Sequence, residues 1–174
     1  MTVTTNDALL NSVDIQAVAA LAEAVSADPE AGNTTWRARV TWDGAFRSHA
    51  NVRGFDPIRS DEPPALGGTD SAPNPVEQLL AALGNCLAVG YAANATARGI
   101  ELRDLRIDLR GELDLHAFLG LRPGHAGFDR IAVSVDIDAD ASAEVIAELH
   151  AAVTSTSPVG HTLAAAIPVA IELS

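Results

Sequence analysis

One segment constrains this chain more than any other: a run of twenty residues, from Gln78 to Ala97, that contains no charged side chain. Pro75 precedes the run, and proline is favoured at the first position of a helix, where its missing N–H needs no partner. Asn74 and Glu77 have the three-residue spacing of a capping box. Gly99 follows the run, and glycine commonly ends helices. The pattern predicts a helix of about 24 residues, roughly 36 Å long.

An uncharged helix of this length either crosses a membrane or lies in the core of a fold. The run is mostly Ala and Leu, but Gly84, Asn85, Gly90 and Asn94 interrupt it. Small and polar residues at this density make a poor bilayer helix, which needs about 20 predominantly apolar residues. We therefore predict a buried core helix and no membrane partner.

Periodic patterns elsewhere predict the remaining elements, after a loose start at residues 1–13. Further helices are predicted at 14–27, at 143–154 and, as a short helix, from Ser157-Pro158 onward. Strands are predicted at 36–42, 45–55, 100–115, 128–138 and 167–173, with a hairpin turn at Asp43-Gly44 and loops at 56–75 and 119–127. Hairpin-length connections favour antiparallel sheets, so the mixture predicts an α+β fold.

The charge balance excludes several classes of partner. The 174 residues include 23 acidic and 11 basic side chains, a formal net charge of −12, and every basic residue is an arginine. Such a chain repels phosphate backbones and anionic lipids, so we expect no nucleic acid and no membrane surface as a partner. No basic segment followed by an apolar run begins the sequence, which favours a cytoplasmic protein.

Cys86 is the single cysteine of the chain, which excludes an intrachain disulfide and a metal site built from several cysteines. The five histidines lack metal-ligand spacing, and neither a phosphate-binding loop nor a serine-nucleophile elbow is present, so we expect no metal and no cofactor. On spacing alone, a cysteine in the middle of an apolar helix is more simply a small packed side chain than a reactive thiol.

Three segments together resemble the signature of the OsmC/Ohr family. They are Leu66-Gly67-Gly68, the run from Asn74-Pro75-Val76-Glu77 to Cys86, and Ser157-Pro158-Val159 followed by Leu163 and Ile167-Pro168-Val169. The resemblance implies an interwoven homodimer, in which antiparallel sheets wrap around long central helices and the active sites lie at the dimer interface. It implies a single OsmC-like domain at 35–174, preceded by an N-terminal extension with one helix at 1–34.

The resemblance also implies an activity in the response to oxidative stress. Typical members reduce hydroperoxides by a peroxiredoxin-type reaction, in which one cysteine attacks the peroxide and becomes a sulfenic acid. A second cysteine then resolves the sulfenic acid as a disulfide. Cys86 matches the first cysteine, whereas Ser157 occupies the position of the second. Because serine cannot form a disulfide, the resemblance implies a one-cysteine cycle with an external thiol as reductant.

The family's glutamate position differs in this chain. In the peroxide-reducing branches the glutamate directly follows Asn-Pro, where this chain has Val76, and the acid comes one residue later as Glu77. The pattern is closer to the less characterised YhfA-like branch. Glu77 and Cys86 are nine residues apart and so lie on opposite sides of a regular helix. Glu77 can therefore act on Cys86 only through an irregular first turn or in the other subunit's site.

The family's arginine position differs as well. In the Ohr branch an arginine precedes Asp-Gly, and Trp42 stands there in this chain. Arg37, Arg39, Arg47 and Arg53 are nearby substitutes. Arg47 and Arg39 are favoured because they lie on the strands that flank the turn, Arg47 as a catalytic residue and Arg39 as a pocket residue.

Three functions remain open from the sequence. The first is a thiol-dependent hydroperoxide reductase with Cys86, Glu77 and Arg47 as catalytic residues and Ser157 and Arg39 in the pocket. The second is a non-catalytic protein that binds a small apolar ligand in a pocket at the dimer interface, with Cys86 as a wall residue. The third is a structural dimer without a small ligand. The thiolate fraction and solvent access of Cys86 distinguish the first from the second.

Overall fold

The structure is a computed structural model and describes residues 9–173. Helices and antiparallel strands alternate along the chain in an α+β fold, as predicted. The elements are, in chain order, α1 (Ile15–Ala27), β1 (Arg39–Gly44), β2 (Arg47–Asn51), β3 (Ile58–Ser60), α2 (Pro75–Ala97), β4 (Leu102–Leu113), α3 (Leu115–Phe118), β5 (Phe128–Ala139), α4 (Ala143–Thr156) and α5 (Pro158–Ala164). The described residues form two compact bodies, a smaller one at 17–81 and a larger one made of 82–173 with the segment 9–16.

The larger body is built around the central and C-terminal part of α2. Leu83, Leu87, Tyr91 and Ala95 recur at four-residue intervals on one helical face and are buried together with residues of α4. Glycines allow the neighbours to approach this face closely. A Cβ atom at Gly90 would lie 2.9 Å from Cγ1 of Val153 on α4, and one at Gly84 would lie 2.8 Å from Cδ1 of Leu109 on β4.

The strands β4 and β5 form a long antiparallel hairpin that covers the same core. Their register pairs Ile107 with Val135 and Leu105 with Ile137, so apolar side chains alternate onto the face that packs against α2. Charged side chains occupy the other face and form ion pairs, such as Arg103 with Asp138 at 2.6 Å. The predicted strands at 100–115 and 128–138 are therefore confirmed with slightly different ends.

Within residues 9–173, α2 alone is long and apolar enough to cross a membrane by length and composition. Its buried residues Leu83, Leu87, Tyr91, Ala95 and Thr96 make it a core helix of the larger body, as predicted. The capping box at its start is confirmed. The backbone N–H of Glu77 donates to Oδ1 of Asn74 at 3.0 Å, and the backbone N–H of Asn74 donates to the Glu77 carboxylate at 2.9 Å.

The smaller body contains a three-stranded antiparallel sheet in the order β1-β2-β3. The register pairs Val40 with Ala50 and Ala50 with Ile58, so these residues share one face of the sheet with Trp42. Large apolar side chains of this face remain exposed, at 66% for Val40 and 73% for Trp42. The helix α1 is present where it was predicted, but none of its residues is buried.

Three predictions of local structure are corrected. The hairpin tip is Ala45-Phe46 instead of Asp43-Gly44, because an irregularity in pairing between Trp42 and Gly44 shifts the register and both Gly44 and Ala45 take positive φ. The predicted loop at 56–75 contains β3, which pairs with β2, and a 3-10 helix at Pro64–Leu66. Residues 9–13 of the predicted loose start are attached to the fold, while residues 1–8 lie outside the described part.

Asn11 makes this N-terminal attachment. Its side-chain amide donates to Oγ1 of Thr96 at 3.0 Å and to the carbonyl of Ile100 at 2.9 Å, while its Oδ1 accepts from the N–H of Leu102 at 2.9 Å. One side chain therefore satisfies backbone groups in the connection between α2 and β4.

The predicted closing strand at 167–173 is wrong for the described chain, which forms no strand there. The segment has the expected alternation, but Ile167, Val169 and Ile171 are exposed at 52%, 73% and 91%. A strand requires a neighbour to pair its backbone N–H and C=O groups. Alternation alone therefore does not create the strand.

A buried carboxylate organises the loop between β3 and α2. Asp61 is 1% exposed and accepts hydrogen bonds from the backbone N–H groups of Glu62, Thr69 and Ser71 and from the hydroxyls of Thr69 and Ser71. The Thr69 hydroxyl contributes most to holding the pKa of the Asp61 carboxyl well below its usual range, and the other donors add to this effect.

We expect Asp61→Asn to lower the thermal midpoint at pH 7 by several degrees. The asparagine amide has one acceptor oxygen where the carboxylate has two, so some of the N–H and O–H donors lose their acceptor. The low folded-state pKa means that the stabilisation is complete above the unfolded pKa of about 4 and is lost as the pH falls below it. Melting curves at pH 7 and pH 3 check this, with the exposed Asp56→Asn as the control. A difference between wild type and Asp61→Asn that does not shrink at pH 3 would contradict the prediction.

Candidate functional site

Two of the predicted site residues meet in the larger body. The Sγ atom of Cys86, on α2, lies 3.3 Å from the Oγ atom of Ser157, which precedes α5. Ser157 is 5% exposed, whereas Cys86 is half-buried. The thiol therefore retains access to solvent next to a buried hydroxyl, 71 residues away along the chain.

The local sequence determines where the Ser157 hydroxyl lies. Ser157 separates the end of α4 from the start of α5, and Pro158 occupies the first turn of α5. The Oγ atom caps this helix by accepting a hydrogen bond from the N–H of Gly160 at 3.1 Å. The predicted helix start is confirmed, and the cap holds the hydroxyl beside the thiol.

The hydrogen bond between these two side chains depends on the protonation state of the cysteine. When Cys86 is a thiol, either side chain can donate. When it is a thiolate, only the hydroxyl of Ser157 carries a proton, so the bond must run from Oγ–H to Sγ. The Ser157 hydroxyl is therefore in place to donate to the sulfur if Cys86 is a thiolate, which is the nucleophilic state of a cysteine.

The pair lies at the wall of a cavity of about 340 Å³. Val89 and Gly90 of α2 and Val153 of α4 form its apolar part, and none of the residues 9–173 that line it is charged. Val89, at one edge, is 70% exposed. The site can admit a small molecule with an apolar portion and bring it to the cysteine sulfur.

The other predicted site residues lie in the smaller body. Glu77 carries out its capping function at the first turn of α2, which is a regular helical turn. Arg39 begins β1 and Arg47 begins β2, as expected for the strands flanking the turn. Contributions of Glu77, Arg47 and Arg39 to chemistry at Cys86 remain predictions.

One polar pair in the larger body was not predicted from the sequence. Tyr91 is fully buried on α2, and its hydroxyl forms a short hydrogen bond with Nδ1 of His150 on α4. The two rings stack with their centroids 6.1 Å apart, and burial raises the pKa of the Tyr91 hydroxyl. Nothing in the spacing of two residues on separate helices indicates such a pair. Within the described residues, no group of three His, Cys, Asp or Glu side chains could hold a metal ion.

Several proteins of known structure have a similar fold. An OsmC-like protein from Mycoplasma pneumoniae has a TM-score of 0.65 and 20% identity over 76% of this chain and 89% of that chain. An organic hydroperoxide resistance protein OsmC from Legionella pneumophila has a TM-score of 0.58 and 18% identity over 75% and 91% of the two chains. An organic hydroperoxide resistance protein from Elizabethkingia anophelis has a TM-score of 0.52 and 16% identity over 75% of this chain and 89% of that chain.

A comparison of sequences identifies the family independently of the fold. No curated protein matches the chain. The family model described as OsmC-like protein matches residues 68–172, a range that contains both Cys86 and Ser157 and extends over more than half of the sequence. With the signature around Cys86 and the matching fold, this match shows that the chain belongs to the OsmC-like protein family.

Proposed function

We propose that the protein is a thiol-dependent hydroperoxide reductase that uses Cys86 as its single redox cysteine. The observation that carries the proposal is the contact of 3.3 Å between the Cys86 sulfur and the Ser157 hydroxyl at the wall of an apolar cavity. Two similar structures are named organic hydroperoxide resistance proteins, which agrees with a peroxide substrate. An organic hydroperoxide matches the cavity, since its apolar group contacts Val89 and Val153 while its peroxide group reaches the sulfur.

The proposed reaction has three steps. The Cys86 thiolate attacks the terminal oxygen of the hydroperoxide, the O–O bond breaks, and the alkoxide takes a proton and leaves as an alcohol. The cysteine is then a sulfenic acid, and an external thiol attacks its sulfur to form a mixed disulfide and release water. A second external thiol attacks the mixed disulfide, which restores Cys86 and releases the oxidised reductant. Ser157 cannot take the place of the external thiol, because its oxygen forms no disulfide.

Ser157 stabilises the thiolate in this scheme, and an arginine is expected to hold the peroxide or the departing alkoxide. Arg47 is our candidate for that arginine and Arg39 a second pocket residue, because both lie on the strands beside the β1–β2 turn. Glu77, engaged in the capping box of its own helix, would act in the other subunit's site. The position of Glu77 after Val76 favours assignment to the YhfA-like branch.

A homodimer and a cytoplasmic location complete the proposal. Exposed apolar side chains support the dimer, because a second copy would bury them. They belong to Val89 on α2, Trp42 on β1 and the alternating segment at 167–173. The backbone of residues 167–173 has no strand partner within the described part of the chain, and a strand of a second copy would supply one. A cytoplasmic location supplies the reducing thiols that a one-cysteine cycle needs.

The first test is intact-mass spectrometry of the purified protein after a few equivalents of cumene hydroperoxide, in the presence of a trap for sulfenic acids. We expect rapid addition of one trap molecule per chain. Because Cys86 is the only cysteine, the mass alone identifies the modified residue. Cys86→Ser, which differs by one atom and keeps a hydroxyl beside Ser157, should remain unmodified.

Absence of the adduct after a few equivalents of peroxide would contradict the reductase proposal. The alternative is non-catalytic binding of a small apolar ligand, favoured by the uncharged walls of the cavity. The two functions respond differently to one pair of variants: narrowing the cavity with Val89→Phe should abolish ligand binding, whereas Cys86→Ser should abolish peroxide reaction and leave ligand binding intact.

A further inference from the structure

A second cavity, of about 280 Å³, lies on the three-stranded sheet of the smaller body. Its lining includes the charged or titratable residues Arg47, Arg59, His49 and Asp43. The register pairs His49 directly with Arg59, and Arg47 lies two residues before His49 on the same strand. Side chains at these positions project from one face of the sheet, so two guanidinium groups from adjacent strands and one imidazole share that face.

The two arginines lack the carboxylate partners that other arginines of this chain have. Arg103, Arg106, Arg110, Arg122 and Arg130 each lie within 4 Å of an Asp or Glu carboxylate. Within residues 9–173, neither Arg47 nor Arg59 forms an ion pair. Residues 35–60 contain five arginines and two acids, although the whole chain has a net charge of −12. Two of these five arginines, Arg47 and Arg59, line the cavity, together with the single acid Asp43.

The one carboxylate in the cavity wall is already engaged. Asp43 accepts a hydrogen bond from Nδ1 of His49 at 2.7 Å. An ionised carboxylate only accepts, so Nδ1 carries the proton of this bond. The hydroxyl of Ser71 donates to buried Asp61 and that of Ser60 donates to the carbonyl of Pro73. Among the described residues, the guanidinium groups are therefore the charged donors of the cavity with no recorded ion-pair partner.

We propose that this cavity binds the oxyanion group of a small molecule, a phosphate or a carboxylate, between Arg47 and Arg59. Guanidinium groups bind such groups through paired, charge-assisted hydrogen bonds, and one anion between two arginines also relieves their mutual repulsion. A volume of about 280 Å³ is enough for a small metabolite. Arg47 is also the candidate arginine of the proposed function, so the test below changes Arg59, which has no part in the thiol reaction.

Isothermal titration of the full chain with inorganic phosphate, and separately with succinate, tests the proposal. We expect saturable binding of one anion per chain, weakened about tenfold in Arg59→Gln, since a hydrogen bond to a charged group contributes about 1.5 kcal/mol or more. Arg53→Gln is the matched control. It removes the same charge from the same body, but Arg53 stacks on the Phe55 ring, 4.5 Å from its centroid, and does not line the cavity.

The two probes distinguish the sources of the oxyanion. Binding of phosphate alone indicates a phosphorylated ligand, binding of succinate alone a carboxylate, and binding of both a general oxyanion site; each result supports the proposal if Arg59→Gln weakens it selectively. Binding of neither probe, or equal losses in Arg59→Gln and Arg53→Gln, would overturn it. If Arg59→Gln melts at a lower temperature than wild type, Arg59→Lys provides the second variant, which keeps the charge and should still bind more weakly because it loses the planar fork.

Discussion

Replacing Ser157 with cysteine is expected to convert the sulfenic acid of Cys86 into an intramolecular disulfide before the trap reacts with it. The wild-type Sγ and Oγ atoms are 3.3 Å apart, so the introduced sulfur needs only a small shift to reach the bond length of about 2.05 Å. After peroxide attack at Cys86, the introduced thiol should attack the sulfenic acid and release water. The intact mass should then show loss of two hydrogen atoms and no trap adduct, and a dithiol should reverse the change.

The matched control for this experiment is Ser157→Ala. It removes the same helix cap, which costs about 1 kcal/mol, but has no thiol and should still form the trap adduct. Since the alanine also removes the hydrogen bond to the thiolate, we expect adduct formation to be slower than in wild type. A Ser157→Cys protein that accumulates the trap adduct like wild type would mean that the two side chains do not meet in solution.

Truncating Leu149 to alanine is expected to cause the largest loss of stability among conservative core substitutions. Leu149 is fully buried on α4 and packs with Leu87 and Tyr91 of α2 in the core of the larger body. Replacing a fully buried leucine by alanine costs about 2–5 kcal/mol, because the lost apolar contacts leave a cavity. The free energy of unfolding of a typical domain is only about 5–15 kcal/mol, so the variant should lie near the limit of folding.

Urea denaturation at fixed protein concentration measures this effect, since association of subunits would otherwise shift the midpoint. Val145→Ala on the same helix is the control, because Val145 is 37% exposed and loses less on truncation. Equal destabilisation of Leu149→Ala and Val145→Ala would show that α4 does not pack in solution as the structure has it.

Local patterns predicted the elements whose stability is decided within a few residues. Asn74, Pro75 and Glu77 define the start of α2 because the capping partners are three residues apart, and Gly99 with a φ of 70° follows its end. The alternation of residues 100–115 and 128–138 predicted β4 and β5, because a hairpin of two long amphipathic strands supplies its own pairing partner.

Errors occurred where a distant partner decides the structure. The strand β3 has only three residues and exists because β2 pairs with it, so its own sequence reads as a loop. Residues 167–173 show the opposite error, since they alternate as a strand does but have no neighbour in the described chain to complete the backbone hydrogen bonds. The structural role of Asn11 also depends on distant partners, because its three hydrogen bonds reach residues 85 to 91 positions away.

The sequence by itself determined the long uncharged helix, its ends and the α+β class, and through the family signature it singled out Cys86 and Ser157 as candidate site residues. The tertiary structure decided what these residues can do together. Only folding brings a thiol and a hydroxyl 71 residues apart to 3.3 Å, joins Tyr91 to His150, and places Arg47 and Arg59 in the wall of one cavity. Helix caps and alternation are local and readable along the chain, whereas the reactivity of a side chain depends on neighbours that packing and strand register supply.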